Sequence, residues 1–183
     1  MKTRIIEILF EKIKDNQGEY KNFDCGNASI NSHLQTNAYY DDIMKYRSTH
    51  IIRGKNTAGE RYVLGFFTLS LIIVDYESVD DGKLDSTEYS AVYLEYIGVD
   101  RKYQGNGIGT SVIEYVSGYT QELSESLGCR FFILDALVEV VNWYAERGFL
   151  YLDDETKTDK ISPTRRVYLD YKDMRKVDLY AMC

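Results

Sequence analysis

Fourteen residues limit the architecture of this chain more than any others: Tyr96-Ile97-Gly98-Val99-Asp100-Arg101-Lys102-Tyr103-Gln104-Gly105-Asn106-Gly107-Ile108-Gly109. On one side Ala91 to Val99 is rich in β-branched and aromatic residues and reads as a strand. On the other, Ile108, Val112, Val116, Tyr119 and Leu123 keep helical spacing to about Leu127. A strand that passes through a glycine turn into a long helix leaves unpaired N–H groups at the positive end of the helix dipole. That arrangement suits a phosphate or pyrophosphate. Glycine lets the turn adopt positive φ and lets an anion come close to the backbone.

Glycine turns serve several anions. A nucleoside-triphosphate loop needs a lysine after its last glycine, and none stands at that distance from Gly105. A dinucleotide fingerprint starting at Gly105 needs glycine at 110, where the chain has Thr110. Both are disfavoured, and a helix start with no ligand stays open on these residues alone.

The rest of the chain reads as alternating strands and helices. Ile5 to Phe10 is a short strand, and Asn27 caps a helix that carries Ile30, Leu34 and Ala38 on one face and runs to about Arg47. Thr49 to Arg53 and Tyr62 to Val74 form a hairpin across Gly54 to Glu60. Beyond the long helix, Arg130 to Ala136 is a strand, Val138 to Arg147 a helix and Phe149 to Leu152 a strand. Pro163 marks the start of a last strand, Arg165 to Tyr171. The expected class is α+β, a mixed and mainly antiparallel sheet of about six to seven strands flanked by helices. At 183 residues and 44% hydrophobic content, one domain over 1–183 is expected.

No apolar run reaches the length of a membrane span, and Glu7 falls too early for a signal-peptide core, so no membrane contact and a cytoplasmic location are expected. Cys25, Cys129 and Cys183 are widely spaced, which supports neither a disulfide framework nor a zinc site. The formal charge of -7 argues against a polyanionic partner at first sight. Yet Asp75 to Asp100 alone holds eight acids against one base, Lys83, and the remainder of the chain is balanced. Acidity therefore belongs to one segment, read as a solvated loop from Asp75 to Tyr89, and a basic patch elsewhere is not excluded.

A second motif lies 35 residues after Gly109: Trp143-Tyr144-Ala145-Glu146-Arg147-Gly148-Phe149. Gly148 fits a left-handed helix cap, Phe149 the start of a strand, and Tyr144 a place one turn earlier. By itself Tyr144 would read as one core aromatic among 17 tyrosines. In this order and at this distance, Gln104-x-x-Gly107-x-Gly109 followed by the Tyr144 motif resembles the GNAT superfamily of acetyl-CoA-dependent N-acetyltransferases. The resemblance covers roughly Ala91 to Leu152. It departs at Leu137, where many members carry asparagine seven residues before the tyrosine.

The resemblance implies direct transfer of the acetyl group of acetyl-CoA to an amine, with no metal. It assigns cofactor contacts to Ile97, Gly98 and Val99 on the strand and to Gln104, Gly105, Asn106, Gly107, Ile108, Gly109 and Thr110 at the turn. Backbone donors along the strand would stabilise the carbonyl oxygen, with a bulge at Gly98 as one way to free them. Tyr144 would protonate the leaving thiolate. Glu95, at i, i+2 and i+4 with Ile97 and Val99, is the candidate base, and equally a surface glutamate. His33 and His50 match no family position and read as structural.

The acceptor is less constrained. The leading expectation is a primary amine of a small molecule or peptide, with the acidic segment near the cleft favouring a cation. Phe23-x-Cys25-Gly26, Ile30-Asn31, Leu34 and Ala38 also resemble the opening of GNAT toxins that acetylate aminoacyl-tRNA and pair with an antitoxin. Lys45, Arg47, Arg53, Lys55, Arg61, Arg165 and Arg166 would then supply an RNA path. A catalytically weak CoA-binding module is a third reading. The sequence leaves the oligomeric state, including a homodimer, open.

Overall fold

A computed structural model describes residues 5–15, 17–75, 88–152 and 157–171. Seven strands form one sheet in the order β1-β2-β3-β4-β5-β7-β6: β1 Ile5–Lys12, β2 Ser48–Asn56, β3 Arg61–Asp75, β4 Glu88–Val99, β5 Phe131–Leu137, β6 Leu150–Tyr151 and β7 Thr164–Asp170. The pairs β1/β2, β2/β3, β5/β7 and β6/β7 are antiparallel and β4/β5 is parallel, so the sheet is mixed and mostly antiparallel as expected. A parallel pair needs a long crossover, and helix α4, Ile108–Leu127, supplies it. The chain divides into two compact units, residues 1–70 with 95–115 and residues 71–94 with 116–183.

In the first unit the segment after Gly26 folds as α2 Ala28–Ser32, a π turn His33–Asn37 and α3 Ala38–Ile43, preceded by the single turn α1 Gln17–Tyr20. Asn27 is the cap: its Oδ1 accepts from the N–H groups of Ser29 and Ile30 at 3.0 and 3.2 Å. The wide π turn carries both His33 and Leu34 into the interior, and Leu34 and Ala38 join Ile13, Tyr20, Phe23, Ile51 and Phe66 in one core. The helix stops at Ile43 and not at Arg47, because Lys45 takes φ 62° and the N–H groups of Tyr46 and Arg47 both return to the carbonyl of Asp41. The β2 strand outruns its predicted end by three residues, leaving a four-residue connection held by the Asn56 side chain, which accepts from the N–H groups of Ala58 and Glu60.

Two glycines in this unit have a packing reason. A Cβ on Gly65 would lie 2.2 Å from the carbonyl oxygen of Gly98, and one on Gly98 would press on Ile30, Phe66 and Phe23 at 3.0 to 3.2 Å. The β3 backbone can approach that of β4 because Gly65 has no side chain, and Gly98 leaves room for the core side chains above it.

In the second unit Phe131, Ile133, Ala91 and Val74 form a core between strands. The middle turns of α4 bury Val116, Ser117 and Thr120; Tyr119, assigned to the buried face from its spacing, is exposed, and Thr120 takes that place with its hydroxyl donating to the carbonyl of Val116. Helix α5 is Val141–Ala145, shorter than the predicted Val138 to Arg147: Val138 is drawn off by a bond from its N–H to the carbonyl of Pro163. Pro163 immediately precedes β7. The acidic run expected as a loop lies outside the described residues from 76 to 87, and its last members, Glu88 and Tyr89, already belong to β4. Among the described residues no helix is long and apolar enough to cross a membrane. Cys25 and Cys129 are free thiols, and Cys183 lies outside the described residues.

Candidate active site

The turn between β4 and α4 is built from the first unit alone. Asp100 anchors it: buried, it accepts from the N–H of Lys102 through Oδ1 at 2.9 Å, its own N–H reaches the carbonyl of Leu64 at 2.8 Å, and its carbonyl accepts from Tyr103 and Gln104. Gly105 and Gly107 follow with φ 76° and 78°, and neither has an atom within 4 Å of where a Cβ would stand. Among the described residues the N–H groups from Gly105 to Gly109 donate to no partner. Open space above unpaired donors at the first turn of a 20-residue helix fits a diphosphate.

Two exposed polar side chains of the turn bond to main-chain carbonyls. The Gln104 amide donates both its hydrogens, to the carbonyls of Cys25 and Val99 at 2.9 Å each, so its nitrogen braces the turn. Asn106 does the same toward the carbonyls of Tyr103 and Gln104. The side-chain nitrogens of Gln104 and Asn106 are thus spent within the protein, and the N–H groups of Gly105 to Gly109 are left for a ligand.

Along β4, Ile97 and Val99 are half-buried and Gly98 is buried. Tyr96 stacks on His33 with centroids 3.9 Å apart and planes 11° from parallel. Glu95 is not a free surface carboxylate: Arg47 donates from Nε to its Oε2 at 2.6 Å and from Nη1 to Asp41 Oδ2 at 2.7 Å. Both histidines are held below their ordinary pKa by burial, His50 at about 4. His33 meets the Thr68 hydroxyl at 3.3 Å and His50 stacks on Phe67, which accords with structural roles.

In the second unit Tyr144 lies on α5, 6% exposed, with its ring edge-on to Trp143 and Phe149 at 4.8 and 5.5 Å. The helix closes as the motif predicts. Gly148 has φ 84°, its N–H reaches the carbonyl of Ala145, and the N–H of Phe149 reaches that of Tyr144 at 3.2 Å. This is the paired-bond glycine cap with its hydrophobic contact, here Tyr144 on Phe149. Burial pushes the Tyr144 hydroxyl up to about 12, and no hydrogen bond to that hydroxyl is found among the described residues. The phenol therefore stays protonated at neutral pH, as a proton donor must.

The expected basic path is mostly neutralised. Arg53 pairs with Glu11 and Glu19, Lys55 with Glu7, Arg61 with Glu11 and Arg166 with Asp135, while Arg165 binds carbonyls including that of Ser162. Of the seven cations, the Lys45 ammonium alone has no partner among the described residues. Sequence reasoning missed the Asp41–Arg47–Glu95 cluster, because nothing local to any of the three announces a contact over 48 residues. It also missed Gly65, although a glycine inside a strand pattern is a signal of close approach.

By sequence no curated protein matches. By structure the chain is similar to AtaT complexed with acetyl-methionyl-tRNAfMet, with TM-score 0.76 and 20% identity over 96% of this chain and 99% of that one. It is also similar to a mutant AtaT toxin bound to the C-terminus of the antitoxin AtaR and acetyl-CoA, with TM-score 0.71 and 21% identity over 90% and 94%. A mutant of KacT gives TM-score 0.75 and 18% identity over 97% and 100%. At these identities the likeness is one of fold. Residues 21–149, which include the glycine turn, Glu95 and the Tyr144 motif, match the acetyltransferase (GNAT) family. With well over half of its length in that match, the chain belongs to the acetyltransferase (GNAT) family and is an acyltransferase.

Proposed function

We propose that this enzyme transfers the acetyl group of acetyl-CoA to the α-amine of an aminoacyl-tRNA. The observation that carries the acceptor is the likeness to AtaT complexed with acetyl-methionyl-tRNAfMet, which extends over 96% of this chain and so takes in the Phe23 to Ala38 segment that resembles the toxin subgroup. A free amine of a small molecule or peptide, the leading expectation from sequence, has no comparable support. An antitoxin-type protein partner belongs to the same reading.

The cofactor is held at the β4–α4 turn by the N–H groups of Gly105 to Gly109, with Ile97, Gly98 and Val99 along its acyl arm and Thr110 at the helix start. Gln104 and Asn106 contribute by holding the turn open. When bound, acetyl-CoA supplies a thioester carbonyl for attack and a thiolate to leave. Glu95 receives the proton released as the amine nitrogen bonds to the acyl carbon. Tyr144 gives its phenolic proton to the sulfur as the carbon–sulfur bond breaks. An α-amine has a pKa of about 7.7 to 8.0, so much of it is already neutral near pH 7.5 and a carboxylate suffices as its proton acceptor.

The test is thiol release from acetyl-CoA with aminoacyl-tRNA, N-terminal peptides and small amines as acceptors. Rapid, saturable release with charged tRNA and little with free amines is expected. The opposite ranking would return the acceptor to a small amine, and acetyl-CoA binding without release on any acceptor would favour a regulatory CoA-binding module.

A further inference from the structure

One cluster in the first unit has no part in cofactor binding yet joins three separated segments. Arg47, the residue before β2, bridges Glu95 of β4 and Asp41 of α3 at 2.6 and 2.7 Å. Its side chain is about one-third exposed, at 34%, while those of Asp41 and Glu95 are 10% and 18% exposed. Charge-assisted bonds of this length in a partly dry setting hold a carboxylate in one orientation. The backbone is bent to make them. Lys45, with φ 62°, is the single residue other than glycine in the left-handed region among the described residues. It reverses the chain so that Asp41 receives Arg47 twice, through its carbonyl from the Arg47 N–H at 3.3 Å and through its carboxylate. A non-glycine residue at positive φ is a cost the surrounding structure must offset, and such strain collects where geometry matters.

Two carboxylates share one guanidinium, so the cluster keeps a net negative charge suited to an amine. Arg47 engages one oxygen of Glu95. Oε1 has no partner among the described residues. The neighbouring Tyr96 is clamped on His33, which holds the strand at this point.

We propose that Arg47 is a positioning residue of the acetyl transfer: it pins Glu95 by Oε2 so that Oε1 is presented to the acceptor amine, and it acts through Glu95. The inference rests on the reading in which Glu95 receives the amine proton. A structural salt bridge would support the fold and leave turnover on a folded protein unchanged.

The experiment is a double-mutant cycle with Arg47→Met, Glu95→Gln and the double variant, with Arg47→Lys as the conservative change. Each full-length protein is first checked for acetyl-CoA binding by calorimetry. Arg47→Met is expected to lower kcat about 100-fold, the scale of a misplaced reacting group, with KM for acetyl-CoA within about twofold of the parent. Arg47→Lys, which can still reach one carboxylate, is expected to recover part of the loss. The double variant is expected to be no slower than Glu95→Gln alone. Losses that multiply in the double variant would overturn the inference and leave Glu95 its role. No loss in Glu95→Gln would refute both. If Arg47→Met fails to bind acetyl-CoA, Arg47→Lys takes its place in the same cycle with the same two outcomes.

Discussion

Replacing Tyr144 with phenylalanine removes one oxygen and leaves the ring where it is. The ring is buried against Trp143 and Phe149, and the hydroxyl has no partner among the described residues, so nothing in the protein is left unpaired by the change. Stability at pH 7 is therefore expected to stay within about 1 kcal/mol of the parent. Turnover is expected to fall about 100- to 10,000-fold, or roughly 3 to 5 kcal/mol of transition-state stabilisation, with acetyl-CoA affinity unchanged. The phenol's pKa of about 12 sets the mechanism as well. Against a thiol near 8.5, full transfer of that proton to the free thiolate would be uphill by about 5 kcal/mol, so the hydroxyl is expected to act by sharing its proton with the sulfur as the carbon–sulfur bond breaks. The same shift has a signed effect on stability. A group raised from about 10 in the unfolded chain to about 12 in the fold stabilises fully below pH 10. That contribution, about 2.7 kcal/mol, is lost as pH climbs through 12. Urea unfolding of parent and variant at pH 8 and pH 11 measures it: the parent is expected to lose more stability than the variant over that interval. Unchanged thiol release by the variant would remove Tyr144 from the chemistry, and equal alkaline losses would show that its burial is not what raises its pKa.

Other outcomes follow from the same geometry. Gly65→Ala would drive a Cβ into the Gly98 carbonyl oxygen at 2.2 Å, backbone against backbone, so a loss above about 3 kcal/mol in urea midpoint analysis is expected; a loss below 1 kcal/mol would mean the two strands are less close than described. Gly107→Val combines strain at φ 78° with a side chain over the unpaired donors. It is expected to weaken acetyl-CoA binding at least tenfold by calorimetry, whereas Gly18→Val, at a glycine with equally open surroundings, leaves binding intact; equal affinity in both would place the phosphates elsewhere. His50, held at about 4 chiefly by burial and then by Lys12, is neutral in the fold. Its contribution is present above pH 6.5 and lost as pH falls toward 4, at most about 3 kcal/mol and nearer 1 to 2 after solvent screening, and His50→Phe is expected to flatten that loss in acid unfolding.

The sequence by itself determined the parts whose signal is local. Helix α4 begins and ends at Ile108 and Leu127 as the spacing of its apolar residues requires, and Gly148 caps α5 because a left-handed residue there needs no Cβ. Asn27 caps α2, and the glycine turn after β4 carries unpaired donors. These features depend on residues within one turn of each other, so short-range chemistry settles them. Where apolar spacing misled, hydrogen bonding had intervened: α5 is shortened by the distant carbonyl of Pro163, α3 by the reversal at Lys45 that returns two N–H groups to Asp41, and Thr120, its hydroxyl satisfied by the Val116 carbonyl, takes the buried place expected for Tyr119. Only the tertiary structure decided what the polar side chains do. Gln104 bonds to Cys25 across 79 residues of sequence, and Arg47, still one-third exposed at 34%, turns to Asp41 and Glu95 because a partly buried carboxylate demands a counter-charge. Periodicity assigns a residue to a face, but the partner of a charge is set by which other segment the fold brings beside it.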